Sequence, residues 1–416
     1  MSGVPLTTVP NTARGVAKSL AVLAEPSFGV QPTGTAQLLR RTQSLMNYQI
    51  QEIDSQEILT SQQVRDARQG GRMVQGQISG QLSAQTYQSL FSNLFRNDFV
   101  AGVSMSAQTV TVTAGATSVV IKPSSNPLTA GIKVGDVINM TGFVAPATTN
   151  NNVYLPVIGV TATTITTATP TNGSIAAVST GQTAVTILVV GKKLIMPASY
   201  ATANVGSLAF EHWYSDIGVS ETGLGCRVNS AGISVPPNGL VGCQFGFTGQ
   251  KLLSNSAQQF TNPTPETSTG LLTSVQGNVL MFGEAVAYIT GFNLNISAQV
   301  AAPPVVGSPY VPDIVLGNLM ASGSATVLFA DDAISATIMN EAEVQMQLIL
   351  TDSVAPDPNF VSIFLPRVKL FSDQKNDTST SITRSINFRC LEQDVLGGTG
   401  QAFDDTTVTI QDSLAV

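Results

Sequence analysis

The side chain best suited to acid–base chemistry near neutral pH is the single histidine, His212, in the run Phe210-Glu211-His212-Trp213-Tyr214. A Ser–His–Asp arrangement would have to use it, and no Gly-x-Ser-x-Gly turn is present to offer the serine. Apolar and polar residues alternate around it, which predicts a strand in which the ring has a structural role. Cys226, Cys243 and Cys390 are too few for a disulfide framework, and with one histidine and no Cys-x-x-Cys they make no zinc set. They read as small packing residues. Asp331-Asp332 and Asp404-Asp405 are adjacent carboxylates, and neighbours along a strand point to opposite faces, so they read as acidic turns. Glu341 and Glu343 are spaced to share one strand face. Arg65, Arg68 and Arg72 have no interleaved aromatics, Lys192-Lys193 is an isolated pair, and no phosphate-binding glycine loop is present. The expectation is a chain without catalytic, cofactor-binding or metal-binding residues.

Composition points the same way. Of 416 residues, 43% are apolar and 11% charged, which suits short strands and surfaces covered by neighbours. Residues 1–100 carry 8 Lys+Arg against 6 Asp+Glu, residues 101–200 carry 4 against 1, and residues 201–416 carry 7 against 19. An acidic second half does not attract phosphates, since that attraction needs cations to displace counterions. No run of 18 apolar residues would span a membrane. The apolar run Leu20–Ala24 ends at Glu25, too short for the core of a secretion signal.

Residues 1–35, with Pro5, Pro10, Pro26 and Pro32, predict an extended N-terminal arm. Residues 36–102 predict a hairpin, a strand and a helix. Met46, Tyr48 and Ile50 alternate with Asn47 and Gln49, so the polar stretch 44–64 reads as strand rather than helix. Tyr87, Leu90, Phe91, Leu94 and Phe95 recur at helical spacing, with Ser83 or Thr86 as a candidate cap. Residues 103–197 break into short β-branched runs separated by turn clusters, the pattern of a small inserted all-β domain. Residues 198–416 continue in strands, with a hairpin turn at Pro236-Pro237-Asn238-Gly239, a short helix within 335–345 and a C-terminal arm. No internal repeat of 20–50 residues is evident.

Two segments resemble the tail tube proteins of long-tailed bacteriophages. One holds Ser55, Glu57, Ile58 and Asp66 ahead of GRMVQGQISGQLSAQTYQSLF. The other holds Gly225, Cys226, Arg227, Asn229 and Ser230, then Pro236, Pro237, Asn238 and Gly239, then Phe245 and Gly249, with Leu224 where that family has an aromatic. The resemblance implies a mainly β fold: a tail-tube β-sandwich or barrel with one flanking α-helix, plus the inserted domain. It implies a structural virion protein whose subunits, six to a ring, lend strands to an inner barrel that conducts DNA. Its partners would be further copies of itself, the tape-measure, tail-tip and tail-terminator proteins, and passing duplex DNA that is not specifically bound. No membrane insertion is expected, and the site of assembly would be the host cytoplasm. Glu341, Glu343, Gln49 and Gln51 are candidates for the lumen wall. The competing expectation is a decoration protein that binds host-surface glycans through residues 103–197.

Overall fold

The computed structural model describes residues 12–416 apart from 59, 171, 282, 286–287, 330–331, 377–380 and 394–399. Asp331 therefore lies outside the described residues. The fold is mainly β, as expected. The α-helices among the described residues are Gln88–Phe95, Pro127–Ala130 and Ala333–Met339.

The largest feature is one continuous antiparallel run of eight strands. Its order is Gln43–Asp54, Ala67–Gln81, Gly242–Gly249, Val219–Val235, Ile289–Ala301, Val315–Leu328, Thr383–Leu391 and Phe360–Asn376. Two of these strands are long enough to serve a second layer as well. Ser220–Leu224 pairs with Lys251–Asn255, and Val219–Cys226 with Leu208–Tyr214, which in turn pairs with Lys18–Ala24. Phe360–Lys369 pairs with Glu343–Thr351, which pairs with Thr273–Met281, while Val361–Phe364 also pairs with Thr409–Asp412. The side chains between these layers form the main core, including Leu20, Ile78, Phe210, Val228, Phe245, Ile296, Leu348 and Phe388.

The helix Gln88–Phe95 buries Leu90, Phe91, Leu94 and Phe95 in that core. Phe91 meets Phe245 edge-on at 4.9 Å. The expected cap is not made by Ser83 or Thr86. Their hydroxyls bond each other at 2.6 Å and Thr86 reaches Thr267, so neither is free for the first turn of the helix.

Six further strands close into a small barrel, in the order Ile165–Ala168, Ser118–Lys122, Ser104–Ala114, Val178–Val189, Val137–Thr141 and Leu155–Val160. Closure leaves no open edge. Val110, Ile121, Ile138, Leu155, Ile165, Val185 and Ile187 fill it. The chain enters and leaves at one point, since Gly102 donates its N–H to the Gly191 carbonyl at 3.1 Å.

Three expectations need correction. The stretch 1–35 is not an arm throughout: Lys18–Ala24 is a paired strand whose Leu20, Ala21 and Val22 are buried. The apolar run outweighed the flanking prolines, none of which falls within the strand. The C-terminus is no arm either, because Val408 and Ile410 are buried and Thr409–Asp412 lies between Phe360–Phe364 and Lys192–Leu194. Glu341 and Glu343 do not share a strand face. The helix ends at Met339, Glu341 follows in a left-handed turn with φ 50°, and the strand starts only at Glu343.

Candidate functional surface

In the eight-stranded sheet, buried and accessible residues alternate strand after strand. The core side takes Ile78, Phe245, Ile233, Leu294, Ile296, Ala325 and Ile386. The other side takes Ser79, Gln244, Ser234, Asn293, Asn295, Ser322, Ser324 and Asn387, which line an open trough of about 730 Å³ with glycines between them. With a period of two, one side of a strand can be apolar and the other polar. Here the polar side is nearly free of charge. Among the described residues its charges lie at the ends of the sheet, with Arg389 opposite Lys369 and Lys369 opposite Glu343 at one end and Arg68 opposite Ile53 near the tip of the first hairpin.

Both outer strands of this sheet are open along one side. Among the described residues Gln43–Asp54 forms a ladder only with Ala67–Gln81. At the far end, Ser372–Asn376 pairs only with Thr383–Asn387 among the described residues. Such rows of unpaired N–H and C=O groups are templates for another strand.

The segment from Gly225 to Gly249 makes the corner at which Val219–Val235 passes from the second layer into the trough sheet. Gly225 has φ +66° and donates its N–H to Glu25 Oε1 at 2.7 Å. Burial pushes the Glu25 carboxyl up, against the lowering effect of Ser207 and the Gly225 and Gly29 N–H groups. Cys226 is buried, and a Cβ on Gly249 would lie 2.6 Å from its sulfur, so the two positions pack backbone to thiol. Arg227 is buried. It donates to the carbonyls of Ile314 and Val205, pairs with Asp313 at 3.0 Å and stacks on Phe28. Asn229 occupies a bulge and donates to Thr248 Oγ1 at 2.9 Å, after which Ser230 stands opposite Gly246 and Ser297. The turn Pro236-Pro237-Asn238-Gly239 is pinned by Ser274, whose hydroxyl and N–H meet the Gly239 backbone.

The other motif closes the tip of the first hairpin. Ser55 N–H donates to the Asp66 carbonyl, the Glu57 N–H donates to Ser55 Oγ, and Glu57 and Asp66 pair with Arg65 and Arg68. These pairs are exposed and hold the tip only weakly. Ile58 is 100% exposed and Val64 69%. Along the same hairpin Leu45, Tyr48, Ile50 and Ile53 are exposed as well. Gln49 donates to Gln75 Oε1 at 2.7 Å on the side of the strand opposite buried Met46, and Gln51 sits at a bulge between Ile50 and Glu52. Glu343 is held at 2.7 Å by Arg367 and at 3.7 Å by Lys369, and the Arg367 bond pulls its carboxyl below the usual range. The structure thus brings Glu343 to one end of the trough with its charge matched, and leaves Glu341 outside it.

The residues that first suggested chemistry are structural here. His212 Nε2 lies 2.6 Å from Ser44 Oγ in the core, and burial together with Lys18 and Arg41 pushes its pKa down to about 3, so the ring is neutral. Burial pushes the thiols of Cys243 and Cys390 up to about 12 and that of Cys226 well above the usual value. Asp404 and buried Asp136 share Lys193, at 2.7 and 3.0 Å. Although burial opposes its charge, the two carboxylates hold Lys193 protonated, and this knot fastens the small barrel to the rest of the chain. Asp332 stands before the helix Ala333–Met339 without a side-chain cap bond. The Asn and Ser side chains of the trough were not singled out in the sequence, although the alternation in Asn293-Leu294-Asn295-Ile296-Ser297 and in Ser385-Ile386-Asn387-Phe388 carries the signal.

Together these features describe a β-protein whose largest sheet has two open edges and a polar, nearly uncharged face between them. A family model described as phage tail tube protein matches residues 15–390, and the chain belongs to that family. No curated protein matches the chain. It is a component of the virion tail.

Proposed function

We propose that copies of this chain join edge to edge into closed rings, that rings stack into a tube, and that the Ser/Asn/Gln/Gly face lines a conduit for DNA ejection. The observation that carries this reading is the combination of two open sheet edges with a polar, nearly uncharged face between them. Edge pairing satisfies the unpaired backbone groups, and a head-to-tail contact between unlike edges closes into a ring. Duplex DNA carries about one negative charge per 1.7 Å, so a cationic wall would hold it by counterion release, whereas amides and hydroxyls let it slide. The wall proposed is therefore neutral rather than acidic. Gln49, Gln75 and the trough residues form it, with Glu343 and its two cations at one end. The hairpin tip, with Ile58 and Val64 exposed, makes the ring-to-ring contact, and the small barrel faces outward. Tape-measure, tail-tip and tail-terminator proteins set the length and the two ends, and assembly takes place in the host cytoplasm. Negative-stain microscopy of the pure chain with a tail-tip nucleus tests this: hollow tubes are expected, and discrete globules at high concentration would overturn it.

A further inference from the structure

The strand pairings repeat. After Lys18–Ala24 comes the hairpin Gln43–Asp54/Ala67–Gln81, the helix Gln88–Phe95, the strand Leu208–Tyr214, the hairpin Val219–Val235/Gly242–Gly249 and the short strand Lys251–Asn255. After Thr273–Met281 comes the hairpin Ile289–Ala301/Val315–Leu328, the helix Ala333–Met339, the strand Glu343–Thr351, the hairpin Phe360–Asn376/Thr383–Leu391 and the short strand Thr409–Asp412. Each member has the same partners in both halves. The leading strand pairs with the strand after the helix, which pairs with the first part of the long strand, and the short last strand pairs there too. In the trough sheet each half contributes four strands in the same order.

Details match as well. Gly76 lies opposite Phe247 and Gly323 opposite Phe388, and a Cβ on either glycine would fall within 2.5 Å of that ring. Opposite those glycines stand Met46 and Leu294. The bulge at Asn229, between Val228 and Ser230, has its counterpart at Phe371, between Leu370 and Ser372. The chain is thus two copies of one unit, with the small barrel inserted in the first. The repeat spans about half of the chain, so no period of 20–50 residues reveals it.

We infer that three chains, not six, close each ring, and that the junction between the two units inside the chain is the template for the junction between chains. This inference rests on the conduit reading and deepens it. Strands about 4.8 Å apart and tilted about 40° take up about 6 Å of circumference each. Three eight-stranded sheets make 24 strands, a wall about 48 Å across between backbones and about 38 Å clear once side chains of about 5 Å project from each side. Two sheets leave about 22 Å, too narrow for a hydrated duplex about 20 Å wide, and six leave a wall about 95 Å across. The six subunits implied by the family resemblance then become six four-stranded units carried by three chains.

The internal junction sets the register of the external one. Ser230 stands opposite Ser297. Matched through the bulges, Ser230 corresponds to Ser372. Counted from Met46 and Leu294, Ser297 corresponds to Gln49. Ser372 of one copy therefore faces Gln49 of the next, and Gln374 faces Asn47.

The test is the double variant Ser372→Cys/Gln49→Cys, oxidised in assembled tubes and run on a denaturing, non-reducing gel. Both positions lie off the core, and opposed strand residues have the Cα separation a disulfide accepts. The native thiols are buried. The expected result is a ladder that stops at a closed trimer of 43.3 kDa chains, about 130 kDa, with native mass spectrometry of capped rings giving the same mass. A ladder reaching six chains, or tubes that fail to cross-link, would overturn the inference and leave the conduit standing. Failure of the unsubstituted chain to form any ring overturns both.

Discussion

Gly225→Ala tests whether the corner at the head of the trough sheet is held as described. Gly225 and Gly218 share φ +66°. An L-residue there costs roughly 1–2 kcal/mol. At Gly218 a new Cβ meets nothing within 4 Å, so Gly218→Ala should cost that and no more. At Gly225 the Cβ would lie 2.8 Å from Gln250 Cβ and 3.1 Å from the Phe28 ring. Gln250 cannot withdraw, because its N–H donates to the Leu224 carbonyl and its side chain to the Val311 carbonyl. Overpacking of this kind adds about 1–3 kcal/mol, for a total of about 2–5 kcal/mol. Urea denaturation of the unassembled chain, followed by Trp213 fluorescence and far-UV circular dichroism, gives both values. Equal losses in the two variants would refute the crowded corner, and a neutral Gly225→Ala would refute the strained conformation as well.

Replacing Asn295 and Ser322 by lysine puts cations on the proposed wall, so tubes of that variant should retain duplex DNA at low salt and release it with a steep salt dependence, while unsubstituted tubes retain none. Equal retention in a filter-binding assay would count against the wall assignment. Excising residues 103–190, so that Gly102 meets Gly191, should leave tubes visible by microscopy with a lowered melting temperature. Phe364 then loses its cover, and Gln347 and Gln411 lose the Gly135 and Val137 backbone groups they bond. Loss of all tubes would show that the small barrel belongs to the ring contacts. Asp412 is pushed up to about 6 by burial, against the lowering effect of the Gln85 and Leu414 N–H groups. A carboxyl raised on folding adds stability that is complete below its ordinary value of 3.8 and is lost as pH rises through about 6. Asp412→Asn should remove that fall between pH 4 and 6 in denaturation midpoints, and an unchanged slope would place the titration elsewhere.

Many strand positions from Leu208 onward were legible in the sequence where a two-residue period is bounded by turn residues, as in Asn293–Val300 and Ser385–Cys390, whereas Lys251–Asn255 and Thr273–Met281 were not singled out. The inserted domain was legible as all-β for the same reason, but its closure into a barrel was not. The Gly225–Gly249 corner was visible as a motif, but its mechanism was not. Nothing local says that Gly249 meets Cys226 or that Glu25, 200 residues earlier, accepts from Gly225. The roles of the two termini were misread because Lys18–Ala24 and Thr409–Asp412 are short, and their burial depends on partners far along the chain. The duplication left no trace in composition. What repeats is the order of hydrogen-bonded neighbours, and only scattered residues such as Gly76 with Phe247 and Gly323 with Phe388 are kept.

A cryo-EM map of the assembled tube wall, at a resolution that separates strands, is the most direct measurement. The account predicts one uninterrupted antiparallel barrel in which Gln43–Asp54 of each chain is hydrogen-bonded to the end of Phe360–Asn376 of its neighbour, with Asn293, Asn295, Ser322 and Asn387 pointing at the axis. A lumen lined by lysine and arginine, or a trough turned away from the axis, would contradict it.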